Sequence, residues 1–279
     1  MKKSTGEFEN FDREKLKRSL IASGASDELA NKIVEDIEIN LANFTTTEDI
    51  FQYILDHLQK ESSVLAARYN LKKALLQFGP TGFPFEKFVA EIFKEVKYEI
   101  QLNRIVAGWC VEHEVDIILK KNDEFSLVEC KFHNEQRYRV HVQVALYTDA
   151  RFHDIEKKWK SENEEVKLTH PWIITNTKFT YESLKYGSCK QMKLVSWNYP
   201  KEKSLARLID NYGLYPITTL ISLTLKQKKF LIEHGFVLCK DVKKNITLLK
   251  SAGIKGDNLN QIIKECELIC DIKKTPIDL

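Results

Sequence analysis

The chain has 279 residues, 43% of them hydrophobic and 10% aromatic, with 43 Lys and Arg against 40 Asp and Glu: enough for two or three modest globular domains, and too apolar and charge-balanced for a disordered tail. No apolar run reaches the length of about 18 residues that a membrane span needs, charge follows the initial Met1-Lys2-Lys3 instead of a signal-peptide core, and the six cysteines form no CxxC pair; a cytoplasmic protein with reduced thiols is expected, without membrane contact, zinc ribbon or disulfide framework. The formal charge of +3 resolves into −2 over residues 1–78, 0 over 79–200 and +5 over 201–279, so basicity lies at the C-terminus.

The first 78 residues are patterned as helices. Asp12 can cap a helix carrying Leu16, Leu20 and Ile21 that stops at Gly24. A second starts near Ser26-Asp27-Glu28 with Ala30, Ile33, Val34 and Ile37 on one face. A third begins at Thr46 or Thr47, with Glu48 and Asp49 in its first turn where the helix dipole favours acids, and a fourth runs from about Ser63 to Gln77. The opening Lys3-Ser4-Thr5-Gly6-Glu7-Phe8-Glu9-Asn10-Phe11-Asp12-Arg13-Glu14-Lys15 resembles that of the ATP-cone domain, a nucleotide-sensing module. Phe44 to Ile50 and Val64 to Leu71 continue the match in order. The resemblance implies that Lys3, Gly6 and Lys15 approach phosphates, that Glu9 and Asp12 read the base or ribose, and that Thr47 lines the pocket. Ser4 stands where the family usually has a second basic residue. No Walker-type loop occurs, so ATP or dATP is expected as an effector and not as a fuel.

Phe78-Gly79-Pro80-Thr81-Gly82-Phe83-Pro84 is the clearest boundary signal in the chain. Beyond it an amphipathic helix over 85–95 leads into strand-like runs at Tyr98–Leu102, Val115–Lys120 and Phe125–Phe132. A helix near Val140–Tyr147, a strand at Trp172–Thr175, a short helix and a strand at Lys193–Ser196 follow. If Asn122-Asp123 forms a two-residue hairpin turn, Asp116 stands opposite Glu129 and Glu114 opposite Lys131. Alternation then points Glu129 and Lys131 the same way and sends Cys130 with Val128 into the core. Opposed like charges destabilise a hairpin, so this face calls for a cation; Mg²⁺, which takes one or two carboxylates plus water and phosphate oxygens, suits it. A metal there would lower the pKa of a coordinated water and neutralise charge on a phosphate, and Lys131 could orient or deprotonate that water.

Asp116 followed by Glu129-Cys130-Lys131 resembles the PD-(D/E)xK nuclease signature, with Val115-Asp116 for its Pro-Asp part. Over residues 82–199 the surroundings are similar to the Mrr-type restriction endonuclease branch. The resemblance implies Asp116, Glu129 and the Cys130 carbonyl as metal ligands and Lys131 as catalytic. Glu86 in the preceding helix matches an acid that helix often supplies, and Gln143 on the helix after the motif strand is a supporting or DNA-facing position. His113 is either a DNA contact, an auxiliary ligand or a structural histidine.

From Leu205 onward the pattern is helical again. Leu248 to Ile263, with Gly253-Ile254-Lys255, is similar to helix-hairpin-helix motifs, which present backbone N–H groups to DNA phosphate; Lys255 replaces the second glycine and could contact phosphate itself. Cys266 and Cys270, four apart, are expected to pack. The expected fold class is therefore α/β: a helical ATP-cone-like domain (1–78), a central restriction-endonuclease-like α/β domain with a mixed sheet (79–200), and a C-terminal helical, DNA-contacting domain (201–279). The expected function is a Mg²⁺-dependent endodeoxyribonuclease under ATP or dATP control, with DNA as partner and, by analogy, a homodimer. The alternative is a nucleotide-responsive DNA-binding regulator that keeps the nuclease fold without cutting.

Overall fold

The computed structural model describes residues 11–271. Four helices open it: α1 (Arg13–Ala22), α2 (Asp27–Ile39), α3 (Thr47–Glu61) and α4 (Ser63–Leu75). Their starts follow from side chains that satisfy otherwise orphaned N–H groups. The Lys15 N–H donates to Asp12 Oδ1 (2.9 Å) and the Leu29 N–H to Ser26 Oγ (3.2 Å). At α3 the Asp49 N–H donates to Thr46 Oγ1 (3.1 Å) while the Thr46 N–H donates to Asp49 Oδ2 (2.8 Å), a reciprocal capping box. The predicted apolar faces meet: Leu20, Ala30, Ile33, Val34, Ile37, Ile54 and Leu58 form one small core.

The Gly- and Pro-rich boundary marks a change of pattern without dividing the core. Leu71 and Leu75 of α4, Phe78, and Phe85 and Phe88 of α5 (Phe83–Glu95) belong to one apolar cluster, and Leu208, Tyr215, Leu231 and Cys266 from the C-terminal region join it. Polar bonds tie α4 to that region: Asn70 Nδ2 donates to the Thr219 carbonyl (2.9 Å), Thr218 Oγ1 donates to the Ala74 carbonyl (2.9 Å), and Arg68 pairs with Asp210 (2.9 Å). The three sequence segments thus pack as one body around α4 and α5.

A five-stranded mixed sheet forms the middle, in the order β1 (Glu99–Ala107), β2 (Glu112–Lys121), β3 (Glu124–Lys131), β5 (Lys167–Thr175), β7 (Lys193–Val195). The first three strands are antiparallel, and β3, β5 and β7 are parallel. The β2–β3 ladder runs from Lys121 opposite Glu124 to Ile117 opposite Val128, the predicted register. Asn122 (φ +52°) and Asp123 (φ +63°) are both left-handed, as a two-residue type I′ turn requires. Helix α5 covers one face through Phe85, Phe88 and Phe93 against Ile117, Leu119, Val128 and Cys130. Helix α6 (Val142–Glu162) covers the other through Phe152 and Ile155 against Ile118 and Leu127. Two features go beyond the sequence reading: α6 continues fifteen residues past Tyr147, and a short parallel pair, β4 (Arg139–Val140) with β6 (Lys178–Phe179), stands beside the main sheet before α7 (Tyr181–Cys189).

The C-terminal region is helical as expected, with α8 (Leu205–Tyr212), α9 (Leu225–Glu233), α10 (Ile246–Ser251) and α11 (Gly256–Cys270). Cys239 and Cys266 are fully buried and Cys270 packs beside them. Among the described residues no helix is long and apolar enough to cross a membrane.

Candidate active site

The β2–β3 ladder stops one pair short of the predicted acid pair. Past Ile117 and Val128 the Asp116 side chain takes over from the backbone: Asp116 Oδ2 accepts the Cys130 N–H at 2.6 Å. The β1–β2 ladder is interrupted at the same level, where Asn103, between the paired Leu102 and Arg104, has φ +48°. Strict alternation would send Val115 and Ile117 to one face. Instead Val115 packs with Phe152 and Ile155 of α6, and Ile117 with Phe85 and Phe88 of α5. The strand therefore turns over at Asp116.

On β3 alternation holds, and Glu129 and Lys131 share a face as predicted. Glu129 is only 5% exposed, yet both its oxygens are bonded. Oε1 accepts from Tyr147 Oη (2.7 Å) and pairs with Lys131 Nζ (2.7 Å); Oε2 accepts from Arg151 Nη1 (2.6 Å). Burial opposes ionisation of Glu129, but Lys131, Tyr147 and Arg151 outweigh it and hold the carboxyl below the usual glutamate value. Lys131 responds in kind: burial disfavours its ammonium, the bonds to Glu129 and Tyr147 more than offset that, and its pKa rises above the usual lysine value. A lysine so held stays protonated at neutral pH. In that form it donates and neutralises; acting on a water as a base would require that its bond to Glu129 be given up.

Asp116 feels the Lys131 charge only at a distance, with no direct bond from a cation among the described residues. Burial first, then the Glu129 charge, push it up to about 7, against the pull of the Cys130 N–H. Glu86 on α5 borders the same acid group: burial raises its carboxyl, the bond from Asn103 Nδ2 (2.9 Å) opposes this, and Glu114 and Glu129 add to the rise. The predicted Asp116, Glu129, Lys131 and Glu86 are thus brought together, with Glu114 close by. Among the described residues no group of three or more His, Cys, Asp or Glu side chains is arranged to hold a metal ion.

The other predicted positions fall differently. Gln143 is exposed in the first turn of α6. His113 is half-buried and its Nε2 lies 2.8 Å from Asp154 Oδ2, which also accepts the Cys110 N–H (3.2 Å); this is a structural tie of the β1–β2 turn to α6. Lys255 is exposed in the turn between α10 and α11. Asp12 uses a carboxylate oxygen to cap α1, Lys15 is exposed in the first turn of that helix, and Thr47 is the half-buried first residue of α3. Lys3, Gly6 and Glu9 lie outside the described residues. Tyr147 and Arg151 were not foreseen. They follow Gln143 at four and eight positions, the spacing of one helix face.

The AF1548-like C-terminal family matches residues 215–270. An uncharacterized protein of Archaeoglobus fulgidus is 35% identical over 182 residues, which is 65% of this chain and 99% of that protein. The chain belongs to the AF1548-like family. The crystal structure of AF1548, a protein of unknown function, is similar, with 34% identity and a TM-score of 0.55, covering 68% of this chain and 98% of its own. This AF1548-like chain also carries an ATP cone domain, which matches residues 1–74 and agrees with the expected nucleotide-binding N-terminal module.

Proposed function

We propose that this AF1548-like protein is a Mg²⁺-dependent endodeoxyribonuclease of the Mrr-like kind, regulated by ATP or dATP at its cone. The observation that carries the reading is the convergence of Asp116, buried Glu129 and protonated Lys131 where the β2–β3 hairpin opens. The donor types suit a hard divalent cation: two neighbouring carboxylates, with Asp116 pushed up to about 7 by burial and by the Glu129 charge. Asp116, Glu129 and the Cys130 carbonyl would hold it, and it would supply Lewis-acid stabilisation of charge developing on the phosphate. Lys131 donates to a non-bridging phosphate oxygen as that charge grows. Tyr147 and Arg151 orient Glu129 from α6, and Asn103 orients Glu86.

The test is nicking of supercoiled plasmid by the full chain with Mg²⁺, with and without ATP. Wild type is expected to nick; Lys131→Ala and Glu129→Gln are expected to lose nicking while melting cooperatively. Nicking by both variants at the wild-type rate would refute the assignment. One observation favours the non-cutting regulator: both Glu129 oxygens are already taken by protein donors. Nucleotide-sensitive DNA binding with no nicking under any divalent cation would select that reading.

A further inference from the structure

Eight residues beyond Lys131, the chain builds a second concentration of charge that the proposed chemistry does not use. Arg139 on β4 is the direct register partner of Lys178 on β6, and both are exposed. Neighbouring strands lie about 4.8 Å apart, and like charges placed opposite one another destabilise a pair. Lys72 of α4 is half-buried close enough to Lys178 that, after burial, this neighbour is what keeps its pKa below the usual lysine value. Among the described residues none of the three makes an ion pair with an acid.

A planar stack stands beside them. The Tyr138 ring lies 5.7 Å from that of His133 at an interplanar angle of 23°, and the Arg137 guanidinium sits 5.3 Å from the Tyr138 centroid. The stack is anchored from below: the His133 N–H donates to Asn176 Oδ1 (2.9 Å), Asn176 Nδ2 donates to the His133 carbonyl (2.7 Å), and His133 Nδ1 lies 3.0 Å from Thr177 Oγ1. Tyr138 is nevertheless 45% exposed. The single acid on this loop, Glu135, is paired with Arg137 (2.7 Å).

We infer that the β4–β6 pair and the His133–Tyr138–Arg137 stack form a binding path for single-stranded DNA leading to the site at Lys131. Lys72, Arg139 and Lys178 face its phosphates, and an unpaired base stacks on the exposed Tyr138 ring beside the Arg137 guanidinium. The cations alone would serve a duplex equally well. The exposed stack decides for a single strand, because only an unpaired base offers a free face to an aromatic or guanidinium plane. The inference rests on the nuclease reading for its direction toward Lys131, and for nothing else.

The test is fluorescence anisotropy with the full chain in EDTA, so that binding is read without cleavage. The probes are a labelled mixed-sequence single strand of about twenty nucleotides and the matching duplex. Wild type is expected to prefer the single strand. The triple change Lys72→Ala, Arg139→Ala, Lys178→Ala should reduce the salt dependence of log K by about 2, at roughly 0.7 for each phosphate no longer neutralised. Tyr138→Ala should weaken single-strand binding about tenfold or more, and Tyr138→Phe should restore it. Melting curves verify that each variant folds. Equal affinity for both probes, no binding to either, or triple-variant and Tyr138→Ala proteins that bind as wild type would overturn the inference. Single-strand binding that depends on these residues in a protein that never cuts would leave the inference standing and remove the nuclease reading instead.

Discussion

Replacing Asp116 by Asn should stabilise the fold while abolishing nicking. The folded carboxyl titrates at about 7 against 3.8 in the reference state, about three units. At roughly 1.4 kcal/mol per unit this is about 4 kcal/mol of charge penalty, about halved to 2 kcal/mol because Asp116 is only partly buried. Asparagine keeps an oxygen for the Cys130 N–H, so the local bond survives. The sign follows from a raised acid pKa: the unfolded chain releases the proton near pH 4, the folded chain holds it to about pH 7, and stability is lost as pH rises through that window. The gain from Asp116→Asn should therefore be near zero below about pH 4 and complete above about pH 8. For a chain of this size it corresponds to a rise in melting temperature of about 4–8 °C. Urea unfolding at the two pH extremes measures it. A variant less stable than wild type at high pH, or equally altered at both, would refute the reasoning. Mg²⁺ adds a second readout: a cation held by Asp116 should raise the wild-type melting temperature and leave that of the variant nearly unchanged.

Other substitutions separate the remaining contributions. Arg151→Met strips one cation from buried Glu129 and should cost about 2 kcal/mol in urea unfolding, short of the full cost of breaking a buried pair because Lys131 remains. Lys228 is 6% exposed and pushed down to about 8, chiefly by burial. Lys228→Met should stabilise by about 2 kcal/mol at neutral pH, the penalty being fullest below about pH 8 and lifting toward pH 10.5, so the gain should shrink on titration through that range. Thr46→Ala removes the capping box of α3 and should lower stability by about 1 kcal/mol, read from the same unfolding curves.

Much of the central site was legible because it depends on local rules. The Asn122-Asp123 turn and the period of two set the hairpin register and put Glu129 and Lys131 on one face. The opening of the ladder at Asp116 was not legible, since it involves Asn103 on a third strand and the capture of the Cys130 N–H by a side chain. Tyr147 and Arg151 were within reach: extending the helix past Tyr147 aligns both with Gln143, and only the charged sequence that follows hid its length. The Gly- and Pro-rich segment over 78–84 reads as a division, yet Phe78 and Phe85 at its two ends enter the same core. The apolar pattern marks both residues as buried without stating in which core. The bonds of α4 with Thr218, Thr219 and Tyr215 join positions more than 140 apart, which no local period encodes.

Those long-range bonds bear on how a nucleotide could control the site. The ATP cone match ends at residue 74, inside α4, and α4 is also the helix that bonds to the C-terminal region and carries Lys72 toward Lys178. A nucleotide bound at the cone could therefore act through α4 itself, since a shift of that helix would move Lys72 relative to the β4–β6 pair. Because binding linkage is reciprocal, a strand bound beside Lys178 would change nucleotide affinity by the same factor that nucleotide changes strand affinity. Calorimetric titration of ATP with and without the single strand tests this directly. A shared factor that vanishes in Lys72→Ala places the coupling in α4. Equal ATP affinity in both titrations, with the strand bound, would show that the cone and the basic path act independently.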